Sequence, residues 1–372
     1  MTQPDVLVVG GGIIGAAVAR ALALDGLTVS VLDSGREAGI ATQASGGMLA
    51  PLAEAHEGDP LIGIGIRGRD LCRQLAPALA EETGVDIGLW QDGVLKVAFT
   101  EEEESQARGL VAWHRQQGLN SEWITAGELL HRCSGINPEA RGALLAPEDG
   151  ALEPLAFLEA LLVSGARRGV RLARGERAVG IEIRDRRVSG IRTESQTFPA
   201  GAIVIAAGAW SGRLEGLPRP LSVEPVRGQM LAYPWPEGEP SAIAYTGRGY
   251  VLRRGNEAIA GSTMEYVGFD AAVTPDGRDR VARTAATVYP ALAHAAIQRS
   301  WAGFRPGTPD GQPIVGADPE VPNLWYATGH GRNGILLASV TGEIIAHLVR
   351  GDPSDGLEID LAPISPNRFW NF

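Results

Sequence analysis

The sequence predicts an α/β protein in which a doubly wound parallel-sheet domain is interrupted by a mostly antiparallel α+β domain. Three observations carry this reading. The chain opens on a strand–turn–helix–strand unit, in which Val6–Val9, Gly10-Gly11-Gly12 and Ile13–Leu24 lead into a second apolar strand at 28–32. Near the end a strand at Leu324–Thr328, a Gly-rich turn and a helix at 335–348 return to the same style. Between them the pattern switches twice to short, turn-bounded strands.

Each element follows from its residues. Val6–Val9 is an unbroken apolar run, as expected of a strand buried on both faces of a parallel sheet. The helix over Ile13–Leu24 is alanine-rich, so it can lie close to that sheet, and Gly26 stops it. From about residue 89 the character changes: 95–99 reads as a strand and 101–117 as an exposed helix with an acidic first turn. The four glutamates there are read as a solvated face. An amphipathic helix over 155–168 is followed by a strand at 170–172. Strands at 178–183 and 188–193 flank Arg-Asp-Arg-Arg as a hairpin, and 203–207 is another continuous apolar strand closed by Gly208. Beyond 221 come strands at 226–233, 250–253 and 258–262, the last two joined across Gly255-Asn256, then a helix over 276–289. The expected partition is a nucleotide-binding domain of 1–88, 146–220 and 307–372, with a second domain of 89–145 and 221–306.

Composition narrows the function. At 372 residues the chain exceeds the usual ceiling for one hydrophobic core. A net charge of -11 argues against nucleic acid as a partner, because phosphate binding needs a basic face. Lys96 is the only lysine. That excludes a P-loop and argues against pyridoxal phosphate chemistry, which needs a Schiff-base lysine. The two cysteines, Cys72 and Cys133, make no metal-site pattern, and no metal is expected. No run of 18 apolar residues is present, and the N-terminus runs straight into a strand, so a cytoplasmic protein without stable membrane association is expected.

The chemistry lies in the turns. Gly10-x-Gly12-x-x-Gly15 sits between a strand and a helix, the context that a dinucleotide fingerprint requires. The first glycine permits the tight turn, the second lets a pyrophosphate approach, and the third lets helix and strand pack closely. Asp33 falls where a carboxylate hydrogen-bonds a ribose diol and would repel a 2′-phosphate. The fingerprint alone does not separate FAD from NAD. Two further segments favour a flavin: the small-residue stretch 41–51, where backbone passes close to something flat, and the turn–helix at 329–335. The N-terminus of that second helix suits negative charge on a reduced flavin. Arg305, between Phe304 and Pro306 in an apolar, Gly-rich segment, is placed to fork onto a carboxylate. An internal pair with Asp310 is the alternative.

Gly10–Gly15 with Asp33, the segments 44–51, 204–210 and 301–311, and 329–337 together resemble the D-amino acid oxidase and glycine oxidase superfamily of FAD enzymes. The similarity spans nearly the whole chain, keeps motif order and is nearest to the glycine oxidases. The resemblance implies a Rossmann-like FAD-binding domain with an inserted substrate domain. It places Gly10, Gly12, Ile13, Ile14 and Gly15 at the pyrophosphate turn, and Asp33 and Ser34 at the ribose. Ala41, Thr42, Gly46, Gly47 and Met48 would line the flavin, and Val179 would hold the adenine end. His330, Gly331, Arg332, Asn333, Gly334, Ile335 and Leu336 would wrap the pyrimidine side. Arg305 matches a carboxylate clamp, Tyr250 a hydroxyl donor to the same carboxylate, Arg332 a second substrate-contacting arginine, and Met264 a residue shaping the pocket. Tyr245 and Tyr266 compete with Tyr250, because the hairpin is a residue shorter than the family's. Related sarcosine oxidases attach flavin through a cysteine late in the chain; the late segment here has none, so non-covalent FAD is expected.

The implied reaction is hydride transfer from the α-carbon of glycine, sarcosine or a small D-amino acid to flavin N5. Dioxygen would reoxidise the flavin to give hydrogen peroxide, and imine hydrolysis would give glyoxylate and ammonia from glycine, feeding the thiazole branch of thiamine synthesis. The expected partners are a small amino acid, dioxygen and further copies of the chain in a homo-oligomer. Three alternatives stay open: an amine dehydrogenase using a quinone, a non-catalytic FAD-binding subunit or tRNA-modification module of the same fold, and an NAD-dependent dehydrogenase.

Overall fold

A computed structural model describes residues 3–35, 40–240 and 242–369, apart from the side chains of 354 and 355. Val6–Val9 is the centre of a six-stranded sheet because all four of its side chains are buried. Val6 and Val8 join one apolar cluster, with residues of the Ile13–Leu24, Ile62–Thr83, Pro154–Arg167 and Gly334–Arg350 helices. Leu7 and Val9 join the opposite cluster, with Ile181 and Ile191 of the antiparallel ribbon Ala178–Arg184, Arg187–Thr193 and Thr197–Pro199. The strand order is Ile314–Ala317, Leu324–Thr328, Ala202–Ile205, Val6–Val9, Val29–Asp33, Arg171–Arg174. All neighbours are parallel except the edge strand Ile314–Ala317. This is the doubly wound architecture, with the Gly10 turn at the carboxyl end of the central strand, where such sheets bind ligands.

The second sheet has eight strands: Arg299–Gly307, Glu224–Pro234, Glu257–Gly261, Gly249–Arg254, Ile243–Thr246, Val94–Ala98, Gly142–Ala146 and Glu122–Thr125. Its pairings are antiparallel apart from Ile243–Thr246 with Val94–Ala98. One face packs on the helices Ala126–Arg132 and Pro275–Val288 through Leu95, Val97, Leu129, Val281 and Ala285. The other is covered at one end by Glu101–Gln116, through Ala107, Leu110 and Val111. A large cavity lies against the rest of that face.

Two differences from the sequence reading stand out. A 22-residue helix, Ile62–Thr83, is hidden in the sequence by Gly63, Gly65, Gly68 and Pro77. Two of its glycines serve packing: a Cβ on Gly65 would lie 2.9 Å from Pro51 Cβ, and one on Gly68 would lie 2.3 Å from the Leu336 carbonyl oxygen. Arg305, in a segment to which the sequence reading assigns no element, sits on a nine-residue strand, Arg299–Gly307, paired along its length with Glu224–Pro234.

Candidate active site

One cavity of about 1020 Å³ is lined from both sheets. That is the upper end of the range for small-molecule sites. The Gly10 turn forms one end. Gly10 adopts φ +109°, and a Cβ on Gly15 would lie 1.8 Å from the Gly10 carbonyl oxygen, so only glycine lets the helix start this close to the strand. Gly10, Gly12, Ile13, Ile14, Asp33 and Ser34 line the cavity here, and Gly15 supports them from within the packing. The Asp33 carboxylate also accepts from the amides of Gly11 and Gly35, both at 2.8 Å, which fixes it across the turn. Val179 borders the same end.

The stretch after the opening unit becomes a short helix, Ala41–Ala44, and an irregular link through Gly47, at φ +80°, into the strand Met48–Leu49. The Ile13 amide donates to the Thr42 hydroxyl at 3.2 Å, tying this helix to the fingerprint helix. Ala41, Thr42, Gly46, Gly47 and Met48 all reach the cavity. Small residues are required because the second sheet closes in: a Cβ on Gly303 would lie 2.4 Å from Ala44 Cβ, and one on Gly46 would lie 2.2 Å from the Tyr250 hydroxyl oxygen.

The substrate-side wall follows from strand register. Tyr250 pairs with Gly261, Gly261 with Met230, and Met230 with Trp301, so these residues share a face. Two steps along, Gly228 pairs with Gly303; two further, Val226 pairs with Arg305. The Arg305 guanidinium folds back over Gly228, where a Cβ would lie 2.3 Å from Nη1. Nη1 donates to the Thr263 carbonyl at 3.1 Å and Nη2 to the Ser262 hydroxyl. Among the described residues no carboxylate lies within ion-pair distance of Arg305. Asp310, the alternative partner, is paired with Arg368 at 2.7 Å. Burial lowers the Arg305 pKa, yet a guanidinium stays charged, and most of its five N–H donors remain for a ligand. Tyr250 lies in the same wall with its hydroxyl 3.7 Å from Met230 Sδ, and burial raises its pKa. Tyr245 pairs opposite Tyr250 and also lines the cavity, whereas Tyr266 is 75% exposed. Met264 borders the cavity but is 61% exposed.

The third wall is the turn before Gly334–Arg350. His330, Gly331, Arg332, Gly334 and Ile335 line the cavity, while Asn333 and Leu336 face a small recess beside Pro51 and Ile62. His330 Nε2 shares a 2.9 Å hydrogen bond with Thr341 Oγ1, and its buried Nδ1 has no partner among the described residues. Burial pushes its pKa down to about 3, so it is neutral. Arg332 is engaged differently from the sequence reading: Nη1 is paired with the Glu54 carboxylate, and Nη2 donates to the Glu54 carbonyl at 3.2 Å.

Residues 5–348 match the family model described as FAD dependent oxidoreductase. The chain belongs to the FAD-dependent oxidoreductase family. Within it, the glycine oxidase of Geobacillus kaustophilus is 36% identical over 98% of this chain and 97% of its own length. The glycine oxidase of Bacillus subtilis is 32% identical over 93% and 92%. The bifunctional protein ThiO/ThiG of Nostoc sp. is 34% identical over 95% of this chain, which spans 54% of that protein. The crystal structure of the Geobacillus kaustophilus glycine oxidase aligns with a TM-score of 0.91 at 34% identity, covering 98% of both chains.

FAD is therefore the cofactor, and the cavity suits it. The fingerprint turn and the fixed Asp33 carboxylate form one end, and the first amides of Gly334–Arg350 with the unpartnered His330 Nδ1 form another. Cys72 and Cys133 lie outside the cavity wall, and burial pushes both thiols up to about 11. Sequence reasoning missed Glu54, Gly228, Ser262 and Thr263. Only the glycine inside a strand, at 228, carried a signal, that of close approach by another group.

Proposed function

We propose that this protein oxidises the carbon–nitrogen bond of glycine and other small amino acids, including sarcosine and small D-amino acids, with dioxygen as acceptor. One observation carries the reading: a largely buried guanidinium, Arg305, faces the dinucleotide cavity with no carboxylate partner among the described residues. A buried charge needs a partner, and a substrate carboxylate supplies it.

FAD, when bound, supplies the two-electron acceptor for the α-carbon hydride and the route of those electrons to dioxygen. The protein's part is orientation. Arg305 binds the carboxylate through parallel N–H donors while Ser262 and Thr263 fix the guanidinium plane. Tyr250 adds its hydroxyl from the neighbouring row. Trp210, Phe304 and Met230 line the cavity with apolar surface that keeps water from the reacting carbon. A neutral substrate amine expels the hydride with its own lone pair, so no side chain has to remove a proton from carbon; neutral His330 is consistent with that. The released imine hydrolyses in water, giving glyoxylate and ammonia from glycine, and glyoxylate and methylamine from sarcosine. The relatives joined to a ThiG half support the further reading that the product serves thiamine thiazole synthesis.

Anaerobic titration of the purified yellow protein with glycine, sarcosine and D-alanine tests this. Bleaching of the oxidised flavin band is expected with each, and oxygen uptake should match hydrogen peroxide formed. A flavin that none of the three reduces overturns the reading. Acid precipitation should release the flavin to the supernatant; flavin retained in the pellet would mean covalent attachment.

A further inference from the structure

Two of the arginines lining the cavity, Arg305 and Arg332, are in opposite circumstances. Arg305 has no carboxylate partner among the described residues, whereas Arg332 is committed to Glu54 by its guanidinium and again through the Glu54 carbonyl. Both arginines and Glu54 line one cavity. Glu54 is also firmly placed. Its amide donates to the Ala50 carbonyl at 3.1 Å. The two preceding amides, Leu52 and Ala53, donate to the fully buried Asp149 carboxylate at 3.0 and 2.8 Å. Asp149 in turn accepts from buried Arg69 at 3.2 Å. These bonds fix the backbone from which the Glu54 carboxylate reaches Arg332.

We propose that Glu54 is a specificity-determining residue that restricts this enzyme to amines carrying a single acidic group. The inference rests on the carboxylate-clamp reading of Arg305. It works in two ways. Glu54 occupies the donors of Arg332 that a second carboxylate would use, and its own negative charge repels that carboxylate. Among the described residues the cavity thus presents one largely buried cation without a carboxylate partner, Arg305; Arg213 and Arg283, which also line it without an ion pair, are exposed. Monocarboxylates meet Arg305 alone, and dicarboxylates pay a like-charge penalty at Glu54.

Sarcosine and iminodiacetate are both N-substituted glycines and differ by one carboxylate, so their ratio isolates the effect. Methoxyacetate and diglycolate are the corresponding ethers, which cannot lose hydride. Specificity constants for the two amines, and dissociation constants for the two ethers read from perturbation of the flavin spectrum, should be measured in parent and Glu54→Gln holoenzymes. Glutamine keeps the shape and removes the charge. The iminodiacetate-to-sarcosine ratio and the diglycolate-to-methoxyacetate affinity ratio should each rise about tenfold or more. Adding Arg332→Met to Glu54→Gln should abolish the gain. Arg332→Met alone leaves Glu54 unopposed and should lower both ratios, which keeps the test decisive if the glutamine variant loses FAD. Ratios that do not move, or a gain that survives loss of Arg332, overturn the inference. Failure of the underlying reading looks different: parent enzyme whose flavin neither sarcosine nor glycine reduces.

Discussion

The two ends of the cavity are built in opposite ways. The nucleotide end is local: the Gly10 turn, the Ile13–Leu24 helix and Asp33 lie within one strand–turn–helix–strand unit, and hydrogen bonds inside that unit fix its geometry. The substrate end is assembled from strands far apart in the chain. Tyr250, Gly261, Met230 and Arg305 meet on one face only because four strands pair in one register. A local device is robust to changes elsewhere. A composite one depends on every strand in the row, so the substrate end should be the more sensitive of the two in turnover, and the nucleotide end in cofactor retention.

The sharpest test of that contrast is Arg305. Removing one member of a desolvated, hydrogen-bonded charge pair costs roughly 2–5 kcal/mol. Arg305→Met should therefore lower the specificity constant for glycine between about thirtyfold and several thousandfold. Arg305→Lys keeps charge without the planar fork and should lie at the lower end. FAD affinity should hardly change. Loss of FAD instead would place Arg305 in the flavin site and break the division between the ends. Asp33→Ala is the mirror experiment: it removes charge-assisted hydrogen bonds worth about 1.5–3 kcal/mol. FAD affinity should fall about ten- to a hundredfold, with turnover at saturating FAD close to the parent's. Unchanged affinity would sink the ribose assignment.

The same contrast explains what the sequence could show. The fingerprint, its helix and Asp33 were legible because spacing along the chain is their geometry. The fold class followed, since a second strand–turn–helix near residue 328 has to lie beside the first. Arg305 was legible as a charge in apolar company, and Tyr250 through the family resemblance. Tyr245 could not be separated from Tyr250 without register, which puts both on one face. Glu54 looked like any loop glutamate, because its meaning depends on Arg332, 278 residues away. The Ile62–Thr83 helix escaped because its glycines read as breakers, although Gly68 is a packing requirement against Leu336.

Gly228 offers a milder probe of the composite end, touching the clamp without removing it. A Cβ there would lie 2.3 Å from Arg305 Nη1. The guanidinium must shift on its flexible stem, and misplacement by about 1 Å can cost as much as a hundredfold in rate. Since the arginine can partly adapt, Gly228→Ala should lower the specificity constant for glycine about tenfold, again with FAD retained. A fully active alanine variant would show that the clamp tolerates displacement, and that register matters less than the strand pairing implies.

The smallest expected effect concerns His330, in the third wall of the cavity. Burial pushes its pKa down to about 3, below the ordinary value of 6.5. The unfolded chain therefore takes up a proton as pH falls through 6.5 while the folded protein does not. The stability that this neutral histidine confers is fully present above pH 6.5 and declines as pH drops toward 3. Between pH 6.5 and 5.5 the loss amounts to about 1 kcal/mol. His114, whose pKa is also lowered by burial, to about 4, shifts in the same direction, so the parent should be compared with His330→Leu, in which His114 is unchanged. On going from pH 7.5 to 5.5, the apparent Tm of the parent holoenzyme should fall about 1–3 °C further than that of the variant. Equal slopes would mean that His330 takes up a proton in the folded protein, and a proton-carrying role beside the flavin would then have to replace the neutral one.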